Sequence, residues 1–182
     1  MKRISRRTLV VGAILTTIGA GAAALTNFLY PRVDRKAEGK YRVEPRRVPL
    51  PGESPYIPRE DKFALVNLLP GEGNYDSRDH RGQGGLIAVS RACTHLKCTL
   101  PWVDNFSFPS PGSGETIRGW FRCACHGSTY TKAGVRVFGP ASRSLDTLGL
   151  RVRDKGAVEV DTFDVTPGND ENPLRATPYQ RD

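Results

Sequence analysis

Two six-residue boxes constrain this chain more than anything else in it. They are Cys93-Thr94-His95-Leu96-Lys97-Cys98 and Cys123-Ala124-Cys125-His126-Gly127-Ser128, and they hold all four cysteines and two of the three histidines. Each box offers two thiols and one imidazole. Thiolates and imidazoles suit zinc or an iron–sulfur cluster and suit hard cations poorly. Six candidate ligands exceed the four of a tetrahedral zinc. Two chemistries stay open on this ground. One is a zinc-stabilised loop pair with two Cys and two His ligands, which leaves two cysteines unemployed and departs from the usual finger spacing. The other is a mixed Cys/His 2Fe–2S cluster, whose two left-over cysteines can pair. A metal-free disulfide scaffold gives no reason for a histidine beside the cysteines in both boxes.

The boxes resemble the C-x-H-x-x-C and C-x-C-H-G-S signatures of high-potential Rieske proteins, and the likeness extends over residues 85–150. It implies one 2Fe–2S cluster per chain, with Cys93 and Cys123 on one iron and His95 and His126 on the other. Histidine in place of two thiolates raises the potential above that of all-cysteine ferredoxins. The resemblance further implies a Cys98–Cys125 disulfide tying the loops together. Gly139-Pro140-Ala141 matches the family's proline loop, which shields the cluster from a third side. Ser128 and Tyr130 stand where the high-potential branch places two hydroxyl donors, to a bridging sulfide and to the sulfur of Cys93. Two positions depart from the pattern: Lys97 replaces the usual Gly, and Ala124 the usual Pro. A left-handed backbone at position 97 would strain a lysine, and its charge near a cluster favours the reduced state.

The function implied by this likeness is the iron–sulfur subunit of a respiratory or photosynthetic quinol:cytochrome c oxidoreductase. His126, with His95 beside it, would face quinol and take one electron together with a proton. The second electron would go to a b-type haem in a cytochrome b subunit, and the cluster's electron to a c-type cytochrome. The setting would be a dimeric multi-subunit membrane complex. An alternative within the family is the small subunit of an exported molybdenum oxidase of the arsenite oxidase type. Oxygenase-type ferredoxins resemble the boxes but lack the two disulfide cysteines. An alternative of another class is the non-redox zinc module.

Charge separates the chain into two parts. Its net +8 lies wholly in residues 1–50, with 11 Lys/Arg against 3 Asp/Glu, while residues 51–182 carry 16 of each. Nucleic-acid binding is thereby excluded as an expectation, since a basic footprint should lie on the folded domain. Lys2, Arg3, Arg6 and Arg7 precede an uncharged stretch over residues 8–30. About twenty helical residues cross a hydrocarbon core of roughly 30 Å. Gly12, Gly19 and Gly21 suit close helix packing in a membrane. The basic flank belongs in the cytoplasm, which puts the remainder on the extracytoplasmic side of a cell or thylakoid-like membrane, where a disulfide is permitted. Ser5-Arg6-Arg7-Thr8-Leu9 resembles a twin-arginine export signal, the route for a domain that carries its cluster already folded. Cleavage near Ala22-Ala23-Ala24 is the alternative; a retained anchor is expected.

Residues 31–60 are rich in Pro, Arg, Lys and Glu with little apolar periodicity, and are expected as an extended tether. Tyr41-Arg42-Val43 is a candidate edge strand within it. Arg35-Lys36 and Arg46-Arg47 are expected as solvated charges or headgroup contacts. Short apolar runs at residues 63–69 and 85–90 read as strands, joined by a polar loop in which His80 is a surface histidine. Pro101-Trp102 resembles the chloroplast-type branch, residues 105–115 read as a surface excursion, and residues 116–122 as a returning strand. Trp102 and Trp120 are expected as packing residues. Residues 148–152 and 157–163 suggest a hairpin. The expected organisation is a basic segment (1–8), a transmembrane anchor (9–30), a linker (31–60), an all-β antiparallel Rieske-type domain with two cluster-binding loops (61–163) and an irregular tail (164–182).

Overall fold

The computed structural model describes residues 5–29, 39–59, 63–72, 84–110 and 114–180. They belong to two units, residues 1–38 and 39–182. In the first, α1 (Arg6–Leu29) is a helix of 24 residues. Its window Leu9–Thr26 has a mean hydropathy of 1.9, and the helix is long and apolar enough to cross a membrane. Leu9, Val10, Val11, Ile14, Leu15 and Ile18 are all exposed, so the helix has no core of its own to pack on. Thr16, Thr17 and Thr26 return their hydroxyls to carbonyls one turn back, which satisfies those groups without water, as a lipid environment requires. Lys2 and Arg3 of the basic flank lie outside the described residues.

The second unit consists of two antiparallel sheets. Its strands are β1 (Lys40–Val43), β2 (Phe63–Leu68), β3 (Gly85–Ser90), β4 (Trp102–Pro109), β5 (Thr116–Arg122), β6 (Thr129–Tyr130), β7 (Arg136–Phe138), β8 (Thr147–Val152) and β9 (Val158–Thr166). One sheet runs β1-β9-β8-β3-β2 and the other β4-β5-β6-β7. All six residues of β2 are buried, because the strand lies between two cores. Phe63 and Leu65 pack with Val43, Val48, Val158 and Val160. Ala64, Val66 and Leu68 pack on the other side with Val89, Leu100, Phe121, Tyr130 and Leu145. Burial on both faces explains a continuous apolar run where a half-exposed strand alternates. The outer edge of β2 is covered by Tyr56, which exchanges two backbone hydrogen bonds of 2.9 Å with Leu65.

Three boundaries differ from expectation. The tether was expected over residues 31–60, but from Gly39 the chain is part of the head. β1 pairs with β9, Tyr41 meets Phe63 edge-on at 5.6 Å, and Val43 and Val48 are buried. The candidate edge strand Tyr41-Arg42-Val43 is thus present, and backbone pairing at a sheet edge needs few apolar side chains, which is why composition does not separate it from the tether. Arg46 and Arg47 lie in an exposed 3₁₀ turn, with Arg47 donating to the Tyr56 hydroxyl; Arg35, Lys36 and His80 lie outside the described residues. The tail is irregular but packed. β9 runs to Thr166, Asn172 is fully buried and donates to the carbonyls of Ala133 and Leu145, and Thr177 pairs with Leu86. Residues 105–109 are not an excursion. They continue β4 against β5, and Phe106 and Phe108 recur at the period of two that a strand requires.

Candidate metal centre

Box 1 links β3 to β4, and box 2 links β5 to β6. The two loops are built alike. Cys93 N–H donates to the Cys98 carbonyl at 2.9 Å, and Lys97 N–H returns to the Cys93 carbonyl at 2.8 Å. In box 2, Cys123 N–H donates to the Ser128 carbonyl at 2.8 Å, and Gly127 N–H to the Cys123 carbonyl at 2.9 Å. Each leading cysteine is thus pinned by both its backbone groups while the following turn carries the histidine. Both loops close through a left-handed residue, Lys97 at φ 61° and Gly127 at φ 75°.

This construction brings all four expected ligand residues together. Cys93 and Cys123 are free and buried, and the rings of His95 and His126 meet at 4.9 Å, nearly perpendicular. His126 is exposed and His95 half-buried. Cys98 and Cys125 are joined as a disulfide, with Cα atoms 6.7 Å apart. The sulfurs of Cys98, Cys123 and Cys125 lie within 4.8 Å of one another. That trio is no ligand set, because two of its members are bonded to each other.

The Nδ1 atom of His95 is buried and has no hydrogen-bond partner among the described residues. A buried polar atom in that state is rare and asks for a partner. Two unbonded buried thiols, an orphaned imidazole nitrogen and a second imidazole beside it fit an iron–sulfur group with mixed ligands, and suit a hard cation poorly.

Hydroxyl groups surround the thiols. The Tyr130 hydroxyl lies 3.3 Å from Cys93 Sγ and 3.1 Å from Thr94 Oγ1. Thr94 donates its own proton to the Arg143 carbonyl at 2.6 Å, so it meets Tyr130 as an acceptor. Burial pushes the Cys93 thiol up. Hydrogen bonds from the Tyr130 hydroxyl, the His95 and Leu96 backbone and the Cys123 thiol outweigh it and hold the group below the usual cysteine range. Tyr130 is pushed up to about 12, by burial first and then by its bond to Cys93.

The expected proline loop leans on box 2. Ala141 N–H donates to Ser128 Oγ at 3.1 Å, and a Cβ on Gly139 would come within 2.4 Å of Ser128 Cα. Pro140 is exposed at the loop's tip and Ala141 is buried. The Thr94–Arg143 bond ties the same segment to box 1, and an ion pair of Arg143 with Asp146 braces it. Thr94, Arg143 and Asp146 escaped the sequence reading. A hydroxyl inside a ligand box was the one signal that could have found Thr94; nothing local marks the other two.

The family model described as "Rieske [2Fe-2S] domain" matches residues 57–149. The chain belongs to the Rieske family. Similar proteins span nearly its full length. The cytochrome b6-f complex iron-sulfur subunit 2 of Nostoc sp. is 30% identical over 157 residues, covering 83% of this chain and 82% of that protein. The subunit of the same name from Trichormus variabilis is 29% identical over 157 residues, with the same coverage. Subunit 1 of Synechocystis sp. is 28% identical over 162 residues, covering 88% and 84%. Family and donor set together make the cofactor an iron–sulfur group, and the zinc module falls away.

Proposed function

We infer that this chain is the Rieske iron–sulfur subunit of a b6-f-type quinol:cytochrome oxidoreductase. It takes one electron and one proton from quinol and passes the electron to a c-type cytochrome. The observation that carries this is the pairing of two buried free thiols with two adjacent imidazoles, one of them exposed. The share of both chains over which b6-f subunits match supports the placement in a complex.

In this assignment Cys93 and Cys123 hold one iron of a single 2Fe–2S cluster, and His95 and His126 hold the other. The bound cluster supplies a one-electron store of raised potential. His126 accepts the hydrogen bond of the quinol hydroxyl at its second ring nitrogen and takes the proton there, as a neutral imidazole nitrogen can. His95 stands next to it. The Cys98–Cys125 disulfide holds the two loops at one spacing. The buried hydroxyls of Ser128 and Tyr130 tune the site. Gly139, Pro140 and Ala141 exclude water from the third side. The second quinol electron goes to a cytochrome b subunit in the same membrane complex. Arg6 and Arg7 keep the start of α1 cytoplasmic and act as a twin-arginine export signal, with the β head on the extracytoplasmic side.

Purification of the native complex tests this. The reduced material should show a 2Fe–2S EPR signal and carry haem b. Molybdopterin in place of haem b would reassign the chain to an exported molybdenum oxidase, and the absence of any cluster signal would remove the assignment.

A further inference from the structure

The zero net charge of residues 51–182 conceals a polar distribution. Residues 91–145, which hold both boxes and strands β4 to β7, carry seven Lys/Arg against two Asp/Glu, a net of +5. The flanking residues 51–90 and 146–182 carry nine against fourteen, a net of −5. The segment that carries both boxes is cationic, and the sequence on either side of it offsets that charge.

We propose that the cluster-bearing tip is a cationic docking surface for an electron-transfer protein with an acidic face. This rests on the function proposed above and names the chemistry of the partner that receives the electron. Three cations carry the argument: Lys97 in box 1, Arg122 immediately before box 2, and Arg136 on β7. All three are exposed, and among the described residues none of them pairs with a carboxylate. Asp146 feels the field of Lys97, but its carboxylate is engaged by Arg143. Arg122 lies over the Phe106 ring at 4.2 Å, and Arg136 donates through Nε to the Ala141 carbonyl. Both contacts position a guanidinium and neutralise nothing.

The same segments also expose apolar side chains. Leu96 is 64% exposed and Phe138 57%, with His126 and Pro140 also at the surface. Exposed charges beside a few exposed apolar side chains suit a contact that forms and breaks quickly, since such charges act on encounter more than on affinity. The backbone supplies independent support. Lys97 adopts the left-handed conformation that Gly127 fills in box 2. A lysine kept at a position that favours glycine is strain held beside a functional site, and its exposed charge is what glycine could not provide there.

The test uses the full chain in detergent with its cluster loaded and reduced, each sample first checked for the 2Fe–2S EPR signal. Stopped-flow oxidation is followed from low to high salt with two small oxidants, ferricyanide and tris(phenanthroline)cobalt(III). One electron leaves the reduced chain in each case, ferricyanide becoming ferrocyanide and cobalt(III) becoming cobalt(II). The same is done with one acidic and one basic c-type cytochrome. The expected result is that oxidation by ferricyanide and by the acidic cytochrome falls with salt, while the two cationic partners show the reverse. At low salt the triple variant Lys97→Gln, Arg122→Gln, Arg136→Gln should lose about tenfold in rate with the anionic partners. Because Arg136 also braces the proline loop, the double variant Lys97→Gln, Arg122→Gln is the check, and should show part of the same loss. Arg151→Gln, an exposed charge on β8, should change nothing. A signal-bearing chain whose rate with the acidic cytochrome ignores salt, or is unchanged in both variants, overturns the docking surface and leaves the proposed function standing. Absence of the signal in the wild-type chain removes both.

Discussion

Lys97 and Gly127 occupy the same place in two loops of one design. Each donates its backbone N–H to the carbonyl of the cysteine four residues before it, and each has a positive φ, 61° and 75°. For glycine this conformation is free of steric penalty; for an L-residue with a side chain it costs roughly 1–2 kcal/mol. Glycine gives back about 0.5–1 kcal/mol in chain entropy. Lys97→Gly should therefore stabilise the head by about 0.5–1 kcal/mol, a rise in melting temperature on the order of 2–4 °C. Lys97→Gln keeps the strain and should leave the melt unchanged. A Lys97→Gly chain that melts at or below the wild-type temperature would show that the loop bears no strain.

Gly139 and Ser128 set a tighter constraint. Gly139 has φ 96°, and the atom its Cβ would strike is backbone, 2.4 Å away. Neither side of that contact yields cheaply, and overpacking of this kind costs typically 1–3 kcal/mol. Gly139→Ala should displace the proline loop, break the Ala141-to-Ser128 bond and open the third side of the site. Faster hydrogen exchange over residues 139–143 and faster bleaching of the cluster are the expected readouts. Wild-type exchange at those residues would mean that the loop tolerates the methyl group.

The boxes were legible because ligand chemistry restricts residue type. Few side chains can serve, so the two boxes stand out by kind and spacing, and the choice of Cys93, His95, Cys123 and His126 among their six candidates is what the family resemblance implies. The apolar runs of β2 and β3 were legible for a related reason, since each buries most of its length. What stayed hidden was structure made by backbone. β1 was legible only as a candidate edge strand, Tyr41-Arg42-Val43, inside a tether, because its pairing with β9 uses main-chain groups that every residue has. The tail was read only as irregular because polar and backbone contacts, those of the buried Asn172 and the pairing of Thr177 with Leu86, hold it in place without an apolar pattern. Thr94 was missed because its partners, Tyr130 and the Arg143 carbonyl, are 36 and 49 residues away. Lys97 is the opposite case: the departure from glycine was visible in the sequence, and the positive φ that gives it meaning came from the fold.

The disulfide joins residues 27 apart. A loop of that length removes roughly 3–4 kcal/mol of chain entropy from the unfolded state. Cys98→Ala should leave an assembled cluster that is lost faster on warming, in a head that melts several degrees lower. Replacement of any one of Cys93, His95, Cys123 or His126 should instead abolish the 2Fe–2S signal. A normal signal after loss of one of these four would sink the ligand assignment, and an unchanged melt in Cys98→Ala would mean that the pair contributes nothing to the fold.

The last prediction concerns the potential of the site and separates three hydroxyls. Hydrogen bonds to the sulfurs of a cluster stabilise the added negative charge of its reduced state, so each raises the potential. Ser128 Oγ accepts from Ala141 N–H, which leaves its own proton free to donate. A bond to a charged group is worth roughly 1.5–3 kcal/mol, and about 59 mV corresponds to roughly 1.4 kcal/mol for one electron. Only the difference between redox states counts, so Ser128→Ala should lower the potential by at most ~60–130 mV. Tyr130→Phe should lower it as well, by less, because Thr94 competes with Cys93 for the single phenolic proton at 3.1 against 3.3 Å. Thr94→Val removes that competitor. It should raise the potential by directing the Tyr130 proton to the Cys93 sulfur, while Thr94→Ser, which keeps the hydroxyl, should leave the potential where it was. Redox titration of the four single variants, each with its EPR signal intact, gives the answer. A fall in potential in Thr94→Val would mean that Thr94 assists the Tyr130 bond, and that the tie from Thr94 to Arg143 matters more to the site than the division of one proton.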